Sequence, residues 1–76
     1  MRVYKMELTK MIKELEDLKR QGFLVRLTRK DYCSGNTVKV EGEINYIDGD
    51  DGIELIDGLR KKHYVEMDSI LQIEAL

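Results

Sequence analysis

Apolar and polar residues alternate along most of the segment between residues 38 and 76. In the first part of the segment the apolar residues share one parity: Val38, Val40, Ile44 and Tyr46. Turns rich in Asp and Gly, such as residues 48–52 and 57–58, interrupt the alternation. A period of two with such breaks predicts a meander of antiparallel strands, each half-buried on one face.

The alternation and its breaks predict five strands. They cover residues 23–29, 37–47, 53–56, 62–67 and 71–75. In the first strand we expect Phe23, Val25 and Leu27 to face the core. Gly42 lies midway along the second strand, which is too long to stay straight in so small a domain, so we expect a sharp bend there. A meander this short must curl on itself to enclose a core, which predicts a barrel.

The N-terminal residues have a helical period instead. Their apolar positions follow one helical face: Tyr4, Leu8, Met11, Ile12, Leu15 and Leu18. Gly22 follows as a natural residue to end a helix. The predicted fold is therefore mainly β with one N-terminal α-helix, as a single domain over residues 1–76. The helix covers about 3–21 and a small five-stranded bent antiparallel barrel covers about 23–76, with the apolar helix face over the mouth of the barrel.

The parity also predicts the core of the barrel. We expect eight strand residues to be largely buried: Val25, Leu27, Val40, Ile44, Ile53, Leu55, Val65 and Ile73.

Composition narrows the class of protein. With 42% hydrophobic and 37% charged residues among 76, the chain is typical of a globular domain with a charged surface. One cysteine, Cys33, excludes an internal disulfide and fits a reducing compartment. No apolar run approaches the roughly 18 residues of a membrane span, and the apolar region of a signal peptide does not follow residues 1–5, so we expect neither feature. We expect a cytoplasmic protein that does not contact a membrane.

The net charge of −2 conceals strong segregation. Residues 19–30 carry five basic side chains and no acid, residues 41–57 carry seven acids and no base, and residues 60–63 are basic again. Segregated charge can orient partners or define a geometry of self-association. The alternative is that the charges only solvate the surface or pair across strands.

The order of elements resembles that of Sm-like and SH3-like small barrels over nearly the whole chain. Gly42-Glu43-Ile44, with Asp48 after it, resembles the glycine and aspartate pattern of the second Sm strand. Together with 65–73 (VEMDSILQI), residues 42–48 (GEINYID) are most similar to the bacterial YolD-like family. That resemblance implies an accessory role beside DNA-damage-response genes in bacteria or phages.

The sequence departs from the Sm pattern where RNA-binding members hold a nucleotide. Gly52 stands where they keep an asparagine, and Glu66-Met67 stands where they keep an Arg-Gly pair. Without the amide and the cation, the resemblance does not imply a uridine pocket at that place.

No residue set specifies a reaction. His63 and Cys33 are the only residues of their types, so neither a thiol–imidazole dyad nor a zinc site with four ligands is predicted within one chain. The Asp/Gly-rich residues 48–52 lack the order of a calcium loop, and a hairpin turn is the better interpretation. We therefore predict no catalytic residue, no metal site and no cofactor.

Two functional hypotheses remain. The first is a non-enzymatic interaction module that forms a homo-oligomer or binds another protein, through an edge carrying Tyr64, Leu71, Ile73 and Leu76. The second is a small barrel that binds RNA or single-stranded DNA with cations and aromatic platforms. The candidate contact residues are Arg26, Arg29, Lys30, Tyr32, Arg60, Lys61, Lys62 and Tyr64. A sequence pI near 5.4 opposes binding of a long polyanion.

Overall fold

The computed structural model describes residues 8–76, which form one helix and a five-stranded sheet. The elements are α1 (Leu8–Gln21), β1 (Leu24–Lys30), β2 (Thr37–Asp48), β3 (Gly52–Ile56), β4 (Lys62–Glu66) and β5 (Ile70–Ala75). A 3-10 turn, Met67–Ser69, joins β4 to β5. All five predicted strands and the helix are present, with ends that differ from the prediction by one residue at most where they are described. The predicted helix residues 3–7 lie outside the described residues.

The sheet is antiparallel and open. Its strand order is β4-β3-β2-β1-β5, so β4 and β5 lie at opposite edges and do not pair with each other. The sheet is therefore not closed into a barrel, whereas the prediction of a mainly β domain with one N-terminal helix and five antiparallel strands is confirmed. The first half of β2 pairs with β1 and its second half with β3. The edge strand β5 lies beside β1, and the edge strand β4 lies beside β3. The 3-10 turn joins β4 to β5, but the two strands do not pair along their lengths.

Gly42 lies where the two halves of β2 join. It is buried, and a Cβ atom added there would stand 2.5 Å from the carbonyl oxygen of Ile56 on β3. The missing side chain thus allows the backbone of β3 to approach closely, as expected for a glycine in the interior of a strand.

The core lies between α1 and one face of the sheet. Its buried hydrophobic residues are Met11, Leu15, Val25, Leu27, Ile44, Ile53, Leu55, Val65, Met67 and Ile70. Six of the eight predicted core residues are among them, while Val40 and Ile73 are partly buried and pack against the cluster. Met11 and Leu15 confirm that the apolar helix face covers the sheet. The prediction did not include Met67, which lies in the 3-10 turn, or Ile70, which is the first residue of β5.

Phe23 does not face the core, contrary to the prediction, and 42% of it is exposed. The reason is the end of the helix. Gly22 has φ +77°, the N–H of Gly22 bonds to the carbonyl of Lys19, and the N–H of Phe23 bonds to the carbonyl of Leu18. This pair of bonds is a Schellman cap, so Phe23 completes the helix and β1 begins one residue later.

Candidate functional site

The predicted contact residues fall into two separate groups. Across the sheet, the register aligns Lys62 on β4 with Leu24, the first residue of β1. The intermediate partners are Ile56 on β3 and Glu43 on β2. Lys30 is the last residue of β1, six positions further, or about 20 Å along the strand. The sheet therefore does not bring all eight residues into one patch.

The first group is an exposed cluster at the end of β1. The Lys30 ammonium lies 5.8 Å from the centroid of the Tyr32 ring, within the range of a cation–π contact. Tyr32 is 65% exposed, and its hydroxyl lies 3.5 Å from the carbonyl oxygen of Asp68. Arg29 donates to the carbonyl of Lys30 at 3.4 Å. Lys30 and Tyr32 are thus together and exposed, whereas Arg29 is half-buried and contacts only the backbone of Lys30 among these residues.

Arg26 is balanced by acids on both neighbouring strands. Its Nε lies 2.6 Å from a carboxylate oxygen of Glu41 on β2, and its Nη1 lies 3.9 Å from Glu74 on β5. The hydrogen bond from Arg26 to Glu41, and the charge of that carboxylate, raise the pKa of the guanidinium above its ordinary value. This arginine joins three strands and leaves little charge for an external anion.

The second group lies in the loop between β3 and β4, which Asp57 organises. One oxygen of Asp57 accepts the N–H groups of Leu59 at 2.8 Å and of Lys61 at 3.0 Å. Its other oxygen lies 2.7 Å from Nε2 of His63. Together these hydrogen bonds lower the pKa of Asp57 to about 2, and the bond to His63 has the largest effect. Arg60, at φ +67°, occupies the tight part of the loop. The loop holds three consecutive cations, Arg60 to Lys62, in exposed positions at the start of β4.

Tyr64 is surrounded by acids, unlike Tyr32. Its ring lies over Gly52, where an added Cβ would stand 2.3 Å from the ring, and its hydroxyl lies 3.4 Å from Asp48. Partial burial, followed by the charge of Asp48 and the hydrogen bond to it, raises the pKa of Tyr64. Asp51 and Glu66 act in the same direction. A polyanion approaching this ring would meet like charge.

The edge of β4 consequently has a basic end and an acidic end. Its first residue, Lys62, continues the basic loop, whereas its last residue, Glu66, pairs with Gly52 beside the acidic turn of residues 48–51. Within residues 8–76, β4 pairs only with β3, and β5 only with β1. Each of these edge strands therefore has one side unpaired among the described residues.

A shallow cleft lies between the end of α1 and β2, which the sequence interpretation did not predict. It encloses about 510 Å³ and is lined by Glu16, Lys19, Arg20, Tyr46 and Ile47. Arg20 is paired with Asp17 on the same helix. Acidic and basic side chains are balanced here, so the cleft has no preference for a ligand of either charge.

The other chemical expectations concern single residues. Cys33 is exposed in the loop after β1, and Asp31 accepts its backbone N–H, whereas His63 is bound to Asp57 on the far hairpin. Residues 49–51 form the predicted turn between β2 and β3.

Across residues 8–76, no three His, Cys, Asp or Glu side chains are grouped to hold a metal ion. In the same part of the chain, no helix has the length and hydropathy needed to cross a membrane.

Comparison of the chain with models of known protein families, with curated proteins and with solved structures finds no match.

Proposed function

We propose that this protein is a non-enzymatic interaction module that acts by self-association and by contacts with other proteins through its sheet edges. The observation that carries the proposal is the open sheet, in which β4 and β5 each have one unpaired side among the described residues. An accessory or regulatory role in the cytoplasm, where the exposed thiol of Cys33 would stay reduced, belongs to the same proposal.

Unpaired strand edges bind other strands because their backbone N–H and C=O groups lack partners. Natural proteins protect such edges with charges, bulges or covering segments. On β5, Glu74 is the only charged residue, and Leu71 and Ile73 are partly exposed beside it. On β4, the charges lie at the two ends and a 54% exposed tyrosine lies between them. Neither edge is strongly protected.

The proposal includes an Sm-like architecture. It is supported by an N-terminal helix, by five antiparallel strands with Gly42 midway along the second, and by one helical turn between the fourth and fifth. The resemblance to the YolD-like family further suggests an accessory role beside DNA-damage-response genes. This part of the proposal depends on the sequence patterns around Gly42 and Ser69.

Sedimentation equilibrium of the full chain over a wide concentration range tests the proposal. We expect a mass that rises with concentration, from the 8.9 kDa of one chain to that of a dimer or small ring at micromolar concentration. A mass of one chain at every concentration, including the highest attainable, would refute self-association. It would leave the edges free for a different protein.

A second candidate function is nucleic-acid binding, which the cluster of Arg29, Lys30 and Tyr32 favours. Here an exposed lysine lies over an exposed aromatic ring with a half-buried arginine beside it in the strand, and single-strand binding sites combine cations and aromatic rings in this way. A titration with single-stranded RNA and DNA at two salt concentrations tests it, because phosphate contacts make affinity fall steeply with salt. An Arg29→Glu/Lys30→Glu variant should lose the affinity, and a Lys61→Glu/Lys62→Glu variant should keep it. Equal, salt-insensitive binding by all three proteins would exclude this site.

A further inference from the structure

We infer that β4 is a self-complementary strand and that two copies of the chain pair through it, antiparallel, around a two-fold axis at Tyr64. The inference rests on the proposed function and specifies which edge performs it. Residues 62–66 read Lys-His-Tyr-Val-Glu. When two such strands run antiparallel with Tyr64 opposite Tyr64, Lys62 of each copy stands opposite Glu66 of the other.

The side chains of this arrangement point in the required directions. Val65 is buried against the core, so the alternating residues Lys62, Tyr64 and Glu66 lie on the opposite, exposed face of the strand. Residues directly opposite on paired strands have Cβ atoms about 4.5–5.5 Å apart, which is close enough for ion pairs and for contact of aromatic rings. The dimer would therefore contain two Lys–Glu pairs on one face, and the Tyr64 ring on that face would stay over Gly52 of its own chain.

The surroundings of β4 extend the complementarity. Arg60 and Lys61 precede the strand in the loop held by Asp57, and they are exposed. Asp48 and Asp51 flank the other end, near enough to Tyr64 to raise its pKa. A two-fold axis through the strand places the basic loop of each copy beside the acidic turn of the other. The charge segregation seen in the sequence thus becomes an attraction between identical surfaces.

Pairing of β4 with β5 of a second copy has weaker electrostatic support. In the described residues β5 has one charged side chain, Glu74, and that carboxylate already lies 3.9 Å from Arg26. An antiparallel β4–β5 contact would also leave the acidic end of β4 opposite the apolar start of β5. In addition, it would be heterologous, and it would continue into a ring or a filament. The β4–β4 contact is closed at two chains.

The contact area predicts a weak dimer. Five-residue strands with their adjacent loops bury less surface than the interfaces of about 1,200–2,000 Å² that hold stable complexes together. We therefore expect monomer and dimer to exchange and to coexist at micromolar concentration.

A charge swap tests the arrangement. Lys62→Glu alone and Glu66→Lys alone each place two like-charge pairs in the dimer, and each should weaken dimerisation by about tenfold or more. The double variant Lys62→Glu/Glu66→Lys restores both pairs, and it should recover the wild-type dissociation constant to within about a factor of two. Glu74→Lys is the control, because it changes the charge of the β5 edge and should leave dimerisation unchanged. Melting temperatures of all variants show that the chains are folded.

A disulfide across the axis provides an independent readout. In a Cys33→Ser background, Tyr64→Cys should form a covalent dimer under mild oxidation, because position 64 stands opposite itself within reach of a disulfide. Lys62→Cys in the same background should not, since its two copies would lie about 13 Å apart along the strands. The two variants are matched, because each places one cysteine at an exposed position of β4.

The outcomes separate the two levels of the hypothesis. A wild-type protein that stays monomeric at all concentrations overturns the proposed function and this inference together. A protein that self-associates, but is not rescued by the double swap and is weakened by Glu74→Lys, overturns the β4–β4 arrangement only. Rescue by the swap together with cross-linking at position 64 alone supports the two-fold dimer.

Discussion

Substitution of Gly42 by alanine tests the central geometric feature of the sheet. The added methyl group would stand 2.5 Å from the carbonyl oxygen of Ile56 and 2.9 Å from its carbonyl carbon. Ordinary van der Waals contacts of a Cβ atom begin near 3.4 Å. Both crowded atoms belong to the backbone of β3, which is paired on both sides, so they cannot move as the end of a flexible side chain does.

Two opposing effects determine the magnitude. Gly42 has no positive φ, so alanine fits its conformation and stabilises the folded chain by about 0.4–1 kcal/mol, since it restricts the unfolded chain. Overpacking that displaces backbone costs typically about 1–3 kcal/mol. The second effect is larger, because relief requires β3 to shift by several tenths of an ångström or more. We expect a net destabilisation of about 1–2 kcal/mol, equivalent to a fall in melting temperature of roughly 4–16 °C in a domain of this size.

Thermal and urea unfolding, followed by circular dichroism, measure the effect. Gly58→Ala is the matched control, because no atom lies within 4 Å of its added Cβ and its φ is not positive. That variant should be neutral or slightly more stable. If Gly42→Ala is as stable as Gly58→Ala, β3 does not approach β2 as the structure has it, and the reasoning is refuted.

Three further perturbations probe the core, the helix and the β3–β4 loop. Ile44→Ala, at 4% exposure, should destabilise the chain by about 2–5 kcal/mol in chemical denaturation, and an unchanged melting curve would contradict the strand register. Leu15→Ala should cost a similar amount, about 2–5 kcal/mol, because this fully buried side chain attaches α1 to the sheet, and retained stability would show that α1 does not pack there. Asp57 has a folded-state pKa of about 2, below the 3.8 expected without its partners, so its contribution is present above pH 4 and is lost as the pH falls towards 2. In melting curves between pH 6 and pH 2, Asp57→Asn should therefore lose less stability than wild type, and identical pH profiles would contradict the role of the carboxylate.

Strand positions could be predicted from the sequence because alternation records which side of a strand is buried. The five strands, the helix and most of the core follow from that pattern alone. Closure into a barrel does not, because it depends on whether the two outer strands pair. Alternation is the same in an open and in a closed sheet. Phe23 shows the limit at element ends, where its backbone N–H serves the helix cap and overrides the parity of β1.

The ion pair of Arg26 could not be predicted from the sequence, because its position depends on a strand end. The predicted loop between the first two strands covers residues 30–36 and is centred on residue 33, so a symmetric hairpin places position 26 opposite position 40, a valine. In the structure β1 extends to Lys30, which pairs with Thr37, and Arg26 therefore lies opposite Glu41. An error of one residue at the end of a strand thus changes the partner of every side chain in the hairpin.

The two functional hypotheses depend on the same acids. Asp48, Asp51 and Glu66 surround Tyr64, so the ring is a poor platform for a base that carries phosphates. The basic loop at the other end of β4 lies about 20 Å along the strand direction from Lys30, so it does not form one patch with the cluster around Tyr32. In the proposed dimer, however, the acidic end of β4 in one copy lies opposite the basic end of β4 in the other, and the two ends attract each other. This charge distribution is the reason for proposing an identical chain, and not a polyanion, as the partner of this edge.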